Sequence, residues 1–391
     1  MKKHNQNTTH SHNNTNHANR YTKSTNRTDR SNGTTGTNRV TKKIANWSEY
    51  NKALVNRGNI SLLISEDVIK DGHIVPPGKT NQAGRHKEYS DELIKLALTI
   101  RTLFNLALRQ TKGYISHLFK LMNLETEVPD YTTLSRRMGK LNLRPYRLTN
   151  RIRRLFGVSS KDKNKGIVML VDSSGFKVYG EGEWKVRKHG YSYRRTWRET
   201  HIAVDFETRA ILDLTNTSAH THDNTQLMPL LEQVQQDYCS DSGNCSDCSD
   251  CNGSCNSKIK TIIGDGAYHA RENYIRITRQ QGIELITPPP KNAVEHLNTG
   301  RHYQWYDTPG WEERNRVVRY IDKYGPAQWK SVTNYHRRNL VENAFYRLKT
   351  IFGERLKSRT ESNQLVEQQL KASIINAFNA LGLPKYEEIK T

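Results

Sequence analysis

The sequence is short of acidic residues, and this shortage limits the kinds of partner that the protein can bind. It has 39 Asp and Glu against 61 Lys and Arg, a formal net charge of +22 at pH 7 in 391 residues. An excess of positive charge over a whole chain favours a polyanionic partner, and nucleic acid is the commonest one. A basic membrane-surface protein is the alternative, but the sequence shows neither a long basic amphipathic helix nor a lipidation signal.

Long apolar runs are also lacking. No stretch of the sequence approaches 18 consecutive apolar residues, so we expect no membrane span. The first twenty residues lack the apolar core of a signal peptide. These features predict a cytoplasmic protein that is associated with the nucleoid.

Cysteine is confined to one segment, residues 239–257, which holds all five and has the spacing C-x5-C-x2-C-x2-C-x3-C. Because zinc sites use CxxC pairs, Cys245, Cys248, Cys251 and Cys255 are candidates for four thiolate ligands. Four ligands so close in sequence are cramped, and the segment is rich in Ser, Asp and Asn. A disordered surface insertion is therefore the favoured interpretation, with a zinc or redox site as the alternative. Disulfides are not expected in the cytoplasm.

Composition and periodicity divide the chain into four parts. The first part is rich in Asn, Thr, Ser, His and basic residues and cannot bury enough apolar surface to fold. The third contains the cysteine-rich segment and an irregular insertion at 288–334, which begins with three prolines. The parts are a disordered basic tail at 1–45, a helical domain at 46–160, an α/β domain at 161–355 and a helical segment at 356–391.

The helical domain contains a pattern that is typical of DNA-binding modules. Apolar residues recur at helical spacing from Leu93 to Leu108, and a second helix is predicted from Tyr114 to Met122. Asp130 is the predicted N-cap of a short helix that carries Arg136 and Arg137. A helix pair followed by a basic helix fits a helix-turn-helix domain that binds DNA ends. An ordinary helical domain with a charged outer face fits the same pattern.

After residue 166 the pattern changes to strands. Apolar runs end at Asp172 and Asp265, and two further strands are joined by a turn at 207–209. A helix is predicted over 223–237 with Asp223 as its cap. The order of three strands, helix, strand, helix, strand and a final basic helix predicts an α/β fold, with a mixed sheet flanked by helices.

Three acidic residues are candidates for metal binding. Asp172 and Asp265 each end an apolar strand and precede small residues, which leave room for a metal or a phosphate. For either residue alone, the preference of Asp for turns is an alternative explanation. The third candidate, Glu342, is the single acid in the basic stretch 335–349.

Helical geometry places Glu342 on one narrow face together with Tyr335, Arg338 and Lys349. The adjoining face is apolar and is expected to pack on the sheet. An ion-paired surface helix is the alternative, but most of the basic side chains would then lack a partner. Three carboxylates from two strand ends and one helix suit two Mg²⁺ ions and phosphoryl transfer. The basic side chains would bind the DNA backbone.

The same residues resemble a known family. The spacing Tyr335-x2-Arg338-x3-Glu342-x6-Lys349 is similar to the C-terminal signature of DDE transposases from bacterial insertion sequences. VDSSGFKVYGEGEWKVRKHG, around Asp172, and GDGAYHARENY, around Asp265, resemble the two aspartate regions of the insertion-sequence-five group. The resemblance extends over roughly residues 46–385. Where the family's second motif usually has Asp after GAY, this chain has His269.

The resemblance implies an RNase H-like catalytic domain that cleaves DNA at the terminal inverted repeats of an element and transfers the strands to target DNA. It implies Asp172, Asp265 and Glu342 as catalytic residues that hold two Mg²⁺ or Mn²⁺ ions. A homodimer or higher oligomer on DNA is expected. The alternatives are another RNase H-like nuclease, such as a resolvase, and a transposase-derived DNA-binding protein without catalysis. The candidate DNA contacts are Tyr335, Arg338, Lys349, Arg337, Arg347, Arg136 and Arg137.

Overall fold

The computed structural model describes most of the chain in eight stretches: residues 41–59, 89–124, 126–145, 166–178, 197–219, 221–241, 259–295 and 310–389. Elements are numbered within these stretches. The helices are α1 (Trp47–Asn56), α2 (Asp91–Leu103), α3 (Leu108–Leu121), α4 (Tyr131–Met138), α5 (Leu227–Asp241), α6 (Arg271–Asn273), α7 (Trp311–Val332), α8 (Asn339–Phe352) and α9 (Glu361–Leu381). The strands are β1 (Thr41–Ile44), β2 (Ile167–Val178), β3 (Trp197–Asp205), β4 (Ile211–Ser218), β5 (Ile259–Ile263), β6 (Glu284–Ile286), β7 (Arg355–Leu356) and β8 (Tyr386–Ile389).

The chain separates into two compact units. The smaller comprises Met1–Ala45 and Tyr386–Thr391, and its described part is the antiparallel pair of β1 and β8. The prediction of a disordered tail at 1–45 is thus wrong for Thr41–Ile44, since a partner strand far along the chain supplies the pairing. The rest of the tail lies outside the described residues. The larger unit is Asn46–Lys385.

A mixed sheet forms the centre of the larger unit, as the sequence predicts. Its order is β4-β3-β2-β5-β6, in which β4, β3 and β2 are antiparallel and β5 and β6 run parallel to β2. The short β7 pairs with the far end of β2. Because side chains alternate along a strand, Leu170 and Ile202 pack under α8 and α9, whereas Met169 and Ala203 pack under α5. Helices therefore cover both faces of the sheet.

The N-terminal helices form a core of their own. Leu93, Ile115 and Leu134, from α2, α3 and α4, are fully buried together with Leu370 of α9. The Asp130 carboxylate accepts a hydrogen bond of 2.9 Å from the Thr132 amide, so the predicted cap of α4 is confirmed. The three helices correspond to the predicted ones, although α3 begins six residues earlier than Tyr114. Residues 60–88, 125 and 146–160 of the expected helical domain lie outside the described residues.

Two predictions about secondary structure need correction. The irregular segment expected at 288–334 contains the long helix α7. Gly325 is not helical, with a φ of 82° and a ψ of 158°, so α7 consists of two helical segments that meet at a kink just before Pro326. Residues 239–241 of the cysteine-rich segment belong to α5, and residues 242–257 lie outside the described residues. No helix in the described stretches is both long and apolar enough to cross a membrane.

Candidate active site

Asp172 lies in the middle of β2, not at its end. The Ser-Ser-Gly run that reads as a turn continues in extended form, because β3 pairs with β2 up to Lys177. On the other side of β2, pairing with β5 stops at Leu170 and pairing with β7 begins at Lys177. On that side the β2 backbone at Asp172 therefore lies at a gap between two parallel neighbours.

Asp265 follows β5, as expected. Its carboxylate accepts a hydrogen bond of 2.9 Å from the Ala267 amide and caps a short 3₁₀ turn, Gly266–Tyr268. The turn packs closely on the sheet, since a Cβ atom at Gly264 would lie 2.7 Å from the Tyr268 ring and 3.0 Å from Val171. This contact fixes the position at which the chain leaves β5 and presents Asp265.

Glu342 lies in the first turn of α8. The apolar face of that helix, with Val341, Phe345 and Leu348, is buried against the sheet as predicted. Tyr335–Arg338 form a 3₁₀ turn before the helix, and Arg338 reaches across to the sheet. Its Nη1 donates to Asp172 at 3.1 Å and its Nη2 donates to Glu342 at 2.8 Å. One guanidinium thus joins the acid of β2 to the acid of α8.

Electrostatics show that all three acids lie around this guanidinium. Burial lowers the pKa of Arg338, but nearby anionic groups outweigh that effect and raise it above its usual value; these groups are Asp172, Tyr335, Glu342 and Asp265. We call Asp172, Asp265 and Glu342 the acidic triad. The pKa of Asp172 is raised to about 6, first by burial and then by the charges of the other two acids, while Arg338 opposes the rise. The triad therefore places more negative charge around Arg338 than its single positive charge can balance.

The other residues of the predicted signature lie beside the triad. Lys349 donates a hydrogen bond of 2.7 Å to the Ser174 hydroxyl and lies over the Phe176 ring. Tyr335 packs against Trp329 with ring centroids 5.4 Å apart. The structure therefore brings Lys349 to the same strand as Asp172, two residues further along β2.

Four further arginines were predicted to contact DNA, and their surroundings differ. Arg136 is exposed on α4, and Arg337 is half-buried with its guanidinium 4.7 Å from the centroid of the Phe206 ring. Arg137 forms an ion pair with Asp91 and donates to the Tyr89 carbonyl. Arg347 donates to the Asn379 side chain at 2.6 Å, and burial lowers its pKa to about 10. Arg137 and Arg347 thus have partners inside the protein.

A second group of potential metal ligands, two acids and a histidine, was not predicted from the sequence. Glu199, His201 and Asp223 each offer a ligand atom, and these atoms all lie within 4.8 Å of one another. Asp223 was expected to cap a helix, but His222 is the capping position of a 3₁₀ turn that precedes α5. The Asp223 carboxylate instead accepts a hydrogen bond from Ser173. The available signal was the alternation of Glu199 and His201, which places both on one face of a strand.

Comparison with known proteins gives two matches to family models, both described as transposase DDE domains. One model matches residues 163–377 and the other matches residues 55–181. An uncharacterized protein of Aquifex aeolicus (strain VF5) is 24% identical over 250 residues, which are 63% of this chain and 68% of that protein.

Among solved structures, the Drosophila P element transposase strand transfer complex matches 61% of this chain at 12% identity, with a TM-score of 0.29. This chain spans about half of the transposase chain that it matches, 48% of its length. A likeness this low carries no argument, so the family models are the comparison that matters here.

Proposed function

Because the chain belongs to the transposase DDE domain family, we propose that it cleaves DNA at the ends of its own element and joins those ends to target DNA. Membership of the family supports transposase function and a nuclease type of chemistry. The finer statements follow from the arrangement of side chains around the acidic triad. They concern the roles of single residues. The RNase H-like fold and the insertion-sequence-five group are proposed from the sequence resemblance alone.

The bridge that Arg338 makes between Asp172 and Glu342 is the observation that carries the proposal. It brings together acids from β2 and α8, and the charge of Asp265 from the end of β5 acts on the same guanidinium. A structural ion pair needs one acid for each base. Three acids around one arginine leave an excess of negative charge in a gap of the sheet, which suits a site that binds further cations.

The residues of the triad fit divalent metal ions, which the family typically uses. All three offer carboxylate oxygens, the donors that Mg²⁺ and Mn²⁺ prefer, and Arg338 already shows that a cation is held between two of them. Asp172, Asp265 and Glu342 would hold two ions. Such ions supply charge stabilisation to the attacking and leaving oxygens of a phosphoryl transfer.

The basic residues beside the triad would position the DNA. Lys349 and Arg338 lie on the side of β2 and α8 that carries Asp172 and Glu342. Their positive charges suit phosphate oxygens, so they would orient the backbone without reading its sequence. Tyr335, held against Trp329 at the start of the same segment, would complete this contact.

Recognition of the element's terminal inverted repeats is assigned to the helical domain. Arg136 is exposed on the short helix α4, which follows the pair α2 and α3. This order suits insertion of α4 into a DNA groove. Arg337 is a further candidate contact, whereas Arg137 and Arg347 would have to leave their internal partners to reach DNA. We propose a homodimer or higher oligomer on the DNA, because two element ends must be joined to one target.

Nicking of a duplex that carries an element end tests the proposal. Asp172→Asn, Asp265→Asn and Glu342→Gln each remove one negative charge while keeping the size of the side chain. We expect each to abolish nicking with Mg²⁺ or Mn²⁺ and to leave DNA binding intact or stronger, because an acid that repels phosphate is gone. Asp322→Asn, on the exposed side of α7, is the matched control and should cleave at the wild-type rate.

Two outcomes would count against the proposal. If Glu342→Gln cleaved DNA at the wild-type rate, α8 would not contribute a catalytic residue to the active site. Specific end binding by a wild-type protein that does not cleave with any divalent ion would favour the alternative function, a DNA-binding protein derived from a transposase.

A further inference from the structure

The second acidic group lies on the opposite face of the sheet from Asp172. Glu199 and His201 alternate along β3 with Ile202, which packs under α8, and they share the face of Ala203 under α5. Asp223 reaches this face from the 3₁₀ turn before α5. We call Glu199, His201 and Asp223 the Glu199 cluster.

The imidazole of His201 is the clearest indication that this cluster can bind a ligand. The ring is 1% exposed, and its Nε2 lies 2.9 Å from the Thr217 hydroxyl. Its Nδ1 is buried without a hydrogen-bond partner among the described residues. The nearest acid oxygen, on Asp223, is 3.9 Å away, which is too long for a hydrogen bond. A buried polar atom of this kind is costly and uncommon.

Among the described residues, hydrogen-bond donors are also too few for the two carboxylates. The Ser173 hydroxyl lies 3.1 Å from Glu199 and 3.0 Å from Asp223, but it has one proton and can donate to one of them. When Nε2 of His201 carries the ring proton and donates to Thr217, Nδ1 and the two carboxylates therefore converge as acceptors around a single donor. A cation between the three groups would satisfy all of them.

We propose that Glu199, His201 and Asp223 bind a divalent transition-metal ion, Zn²⁺ or Mn²⁺, at a site separate from the acidic triad. An imidazole nitrogen with two carboxylates suits these ions better than Mg²⁺, which prefers oxygen ligands and water. The contact between His201 and Thr217 matches the outer hydrogen bond by which proteins orient a metal-binding imidazole. The ligands come from β3 and from the turn before α5, so the ion would join these two elements.

The position of the cluster suggests a role in holding the active site. Ser173, which touches two of the proposed ligands, directly follows Asp172 in β2. Tyr268 is 2% exposed, and its pKa is raised by burial and by the charges of Asp223, Asp265, Asp172 and Glu199. The charges of the Glu199 cluster and of the triad thus both act on the Tyr268 hydroxyl. An ion in the Glu199 cluster would hold β2 from the sheet face opposite Asp172. Its positive charge would offset negative charge near Asp172, and it would not contact the substrate.

Pulsed electron paramagnetic resonance of bound Mn²⁺ distinguishes the two sites, because a nitrogen ligand modulates the signal and the triad offers only oxygen. The measurement uses the full chain with Asp172→Asn, Asp265→Asn and Glu342→Gln combined, so that the triad no longer competes. We expect one Mn²⁺ per chain with a nitrogen coupling. His201→Gln should abolish that coupling, whereas His222→Gln, the exposed neighbour of Asp223, should leave it unchanged.

Further variants keep the test valid if His201→Gln fails to fold. Glu199→Gln and Asp223→Asn keep the shape of each side chain and should weaken Mn²⁺ binding, and Thr217→Val should weaken it by roughly 10-fold as an outer contact. Thermal melting with and without Zn²⁺ gives a second readout, in which the ion raises Tm only when the cluster is intact. A nitrogen coupling that survives in His201→Gln, or an absence of any bound ion in the triad variant, would overturn the proposal. Neither result depends on whether the triad cleaves DNA.

Discussion

Arg338 donates a hydrogen bond of 3.1 Å to the Asp172 carboxylate, although the two residues are 166 positions apart in the chain. The same guanidinium holds Glu342 at 2.8 Å. A fixed positive charge therefore lies where the proposed function requires metal ions. Any ion that binds must share these acids with Arg338 or displace it.

Replacement of Arg338 should consequently separate metal binding from catalysis. In Arg338→Ala we expect Mn²⁺ to bind more tightly in the absence of DNA, by roughly an order of magnitude, because a like charge within a few ångströms opposes the ion. Cleavage at saturating metal should nevertheless fall, since a phosphate contact is lost. The test is a Mn²⁺ titration followed by the nicking assay. Arg337→Ala is the matched control, because Arg337 contacts Phe206, and it should leave metal affinity unchanged. Weaker Mn²⁺ binding in Arg338→Ala would contradict this view of the bridge.

Two neighbouring arginines on α4 should differ in a measurable way. Arg137 is mostly buried, pairs with Asp91 and donates to the Tyr89 carbonyl, so Arg137→Ala should destabilise the fold by about 1–3 kcal/mol. Arg136 is exposed, so Arg136→Ala should leave the melting temperature unchanged. It should weaken binding to the element's end more than binding to random duplex. Melting curves and affinities for both DNAs test these expectations. An equal loss of affinity for the element's end and for random duplex would show that Arg136 contacts only the DNA backbone.

Local sequence signals predicted most of the helices and most of the strands, because these elements carry their own periodicity. They also placed Asp265 correctly, since β5 is a short apolar run that ends at Ile263, just before Gly264. The continuation of β2 past Asp172 was missed because Ser-Ser-Gly reads as a turn. Only pairing with β3 and β7, which lie far along the chain, keeps those residues extended.

The missed helix and the missed cluster have similar explanations. In α7, Pro326 and the aromatic residues around it look irregular in sequence. The first helical segment ends at Gly325 and Pro326 stands at the start of the second, where a proline is tolerated, and this is visible only in the backbone angles. In the Glu199 cluster, strand alternation brings His201 to the same face as Glu199, but Asp223 joins them only through tertiary packing. A sequence shows the residues of such a site without showing that they meet.

Two glycines offer a matched test of how closely the turn after β5 is packed. Gly264→Ala adds a methyl group 2.7 Å from the Tyr268 ring, so we expect a loss of about 1–3 kcal/mol in the free energy of unfolding. Because the turn carries Asp265, cleavage should fall as well. Gly113→Ala, in α3, meets no atom within 4 Å and should stabilise the protein by about 0.5–1 kcal/mol. Denaturant unfolding measures both, and a neutral Gly264→Ala would show that the turn can move.

His269 stands where the family's second motif usually has an aspartate. This residue should make the free energy of unfolding depend on pH. The ring is 7% exposed, with Nδ1 near the hydroxyls of Thr287 and Tyr274, and Nε2 lacks a partner among the described residues. Burial, followed by the charge of Arg314, lowers its pKa to about 4. In the unfolded chain a histidine has a pKa of about 6.5.

Between about pH 6.5 and pH 4 the unfolded chain therefore binds more protons at His269 than the folded protein does. The free energy of unfolding must then fall as the pH falls through this range, by up to about 3 kcal/mol from this residue alone. In His269→Gln this contribution disappears, and the stability should decline less steeply between pH 6.5 and pH 4 than in the wild type. His117→Gln, at an exposed position on α3, should retain the wild-type slope. Denaturant unfolding at half-unit pH steps compares the three proteins. Identical slopes for His269→Gln and the wild type would mean that the buried imidazole accepts a proton without unfolding.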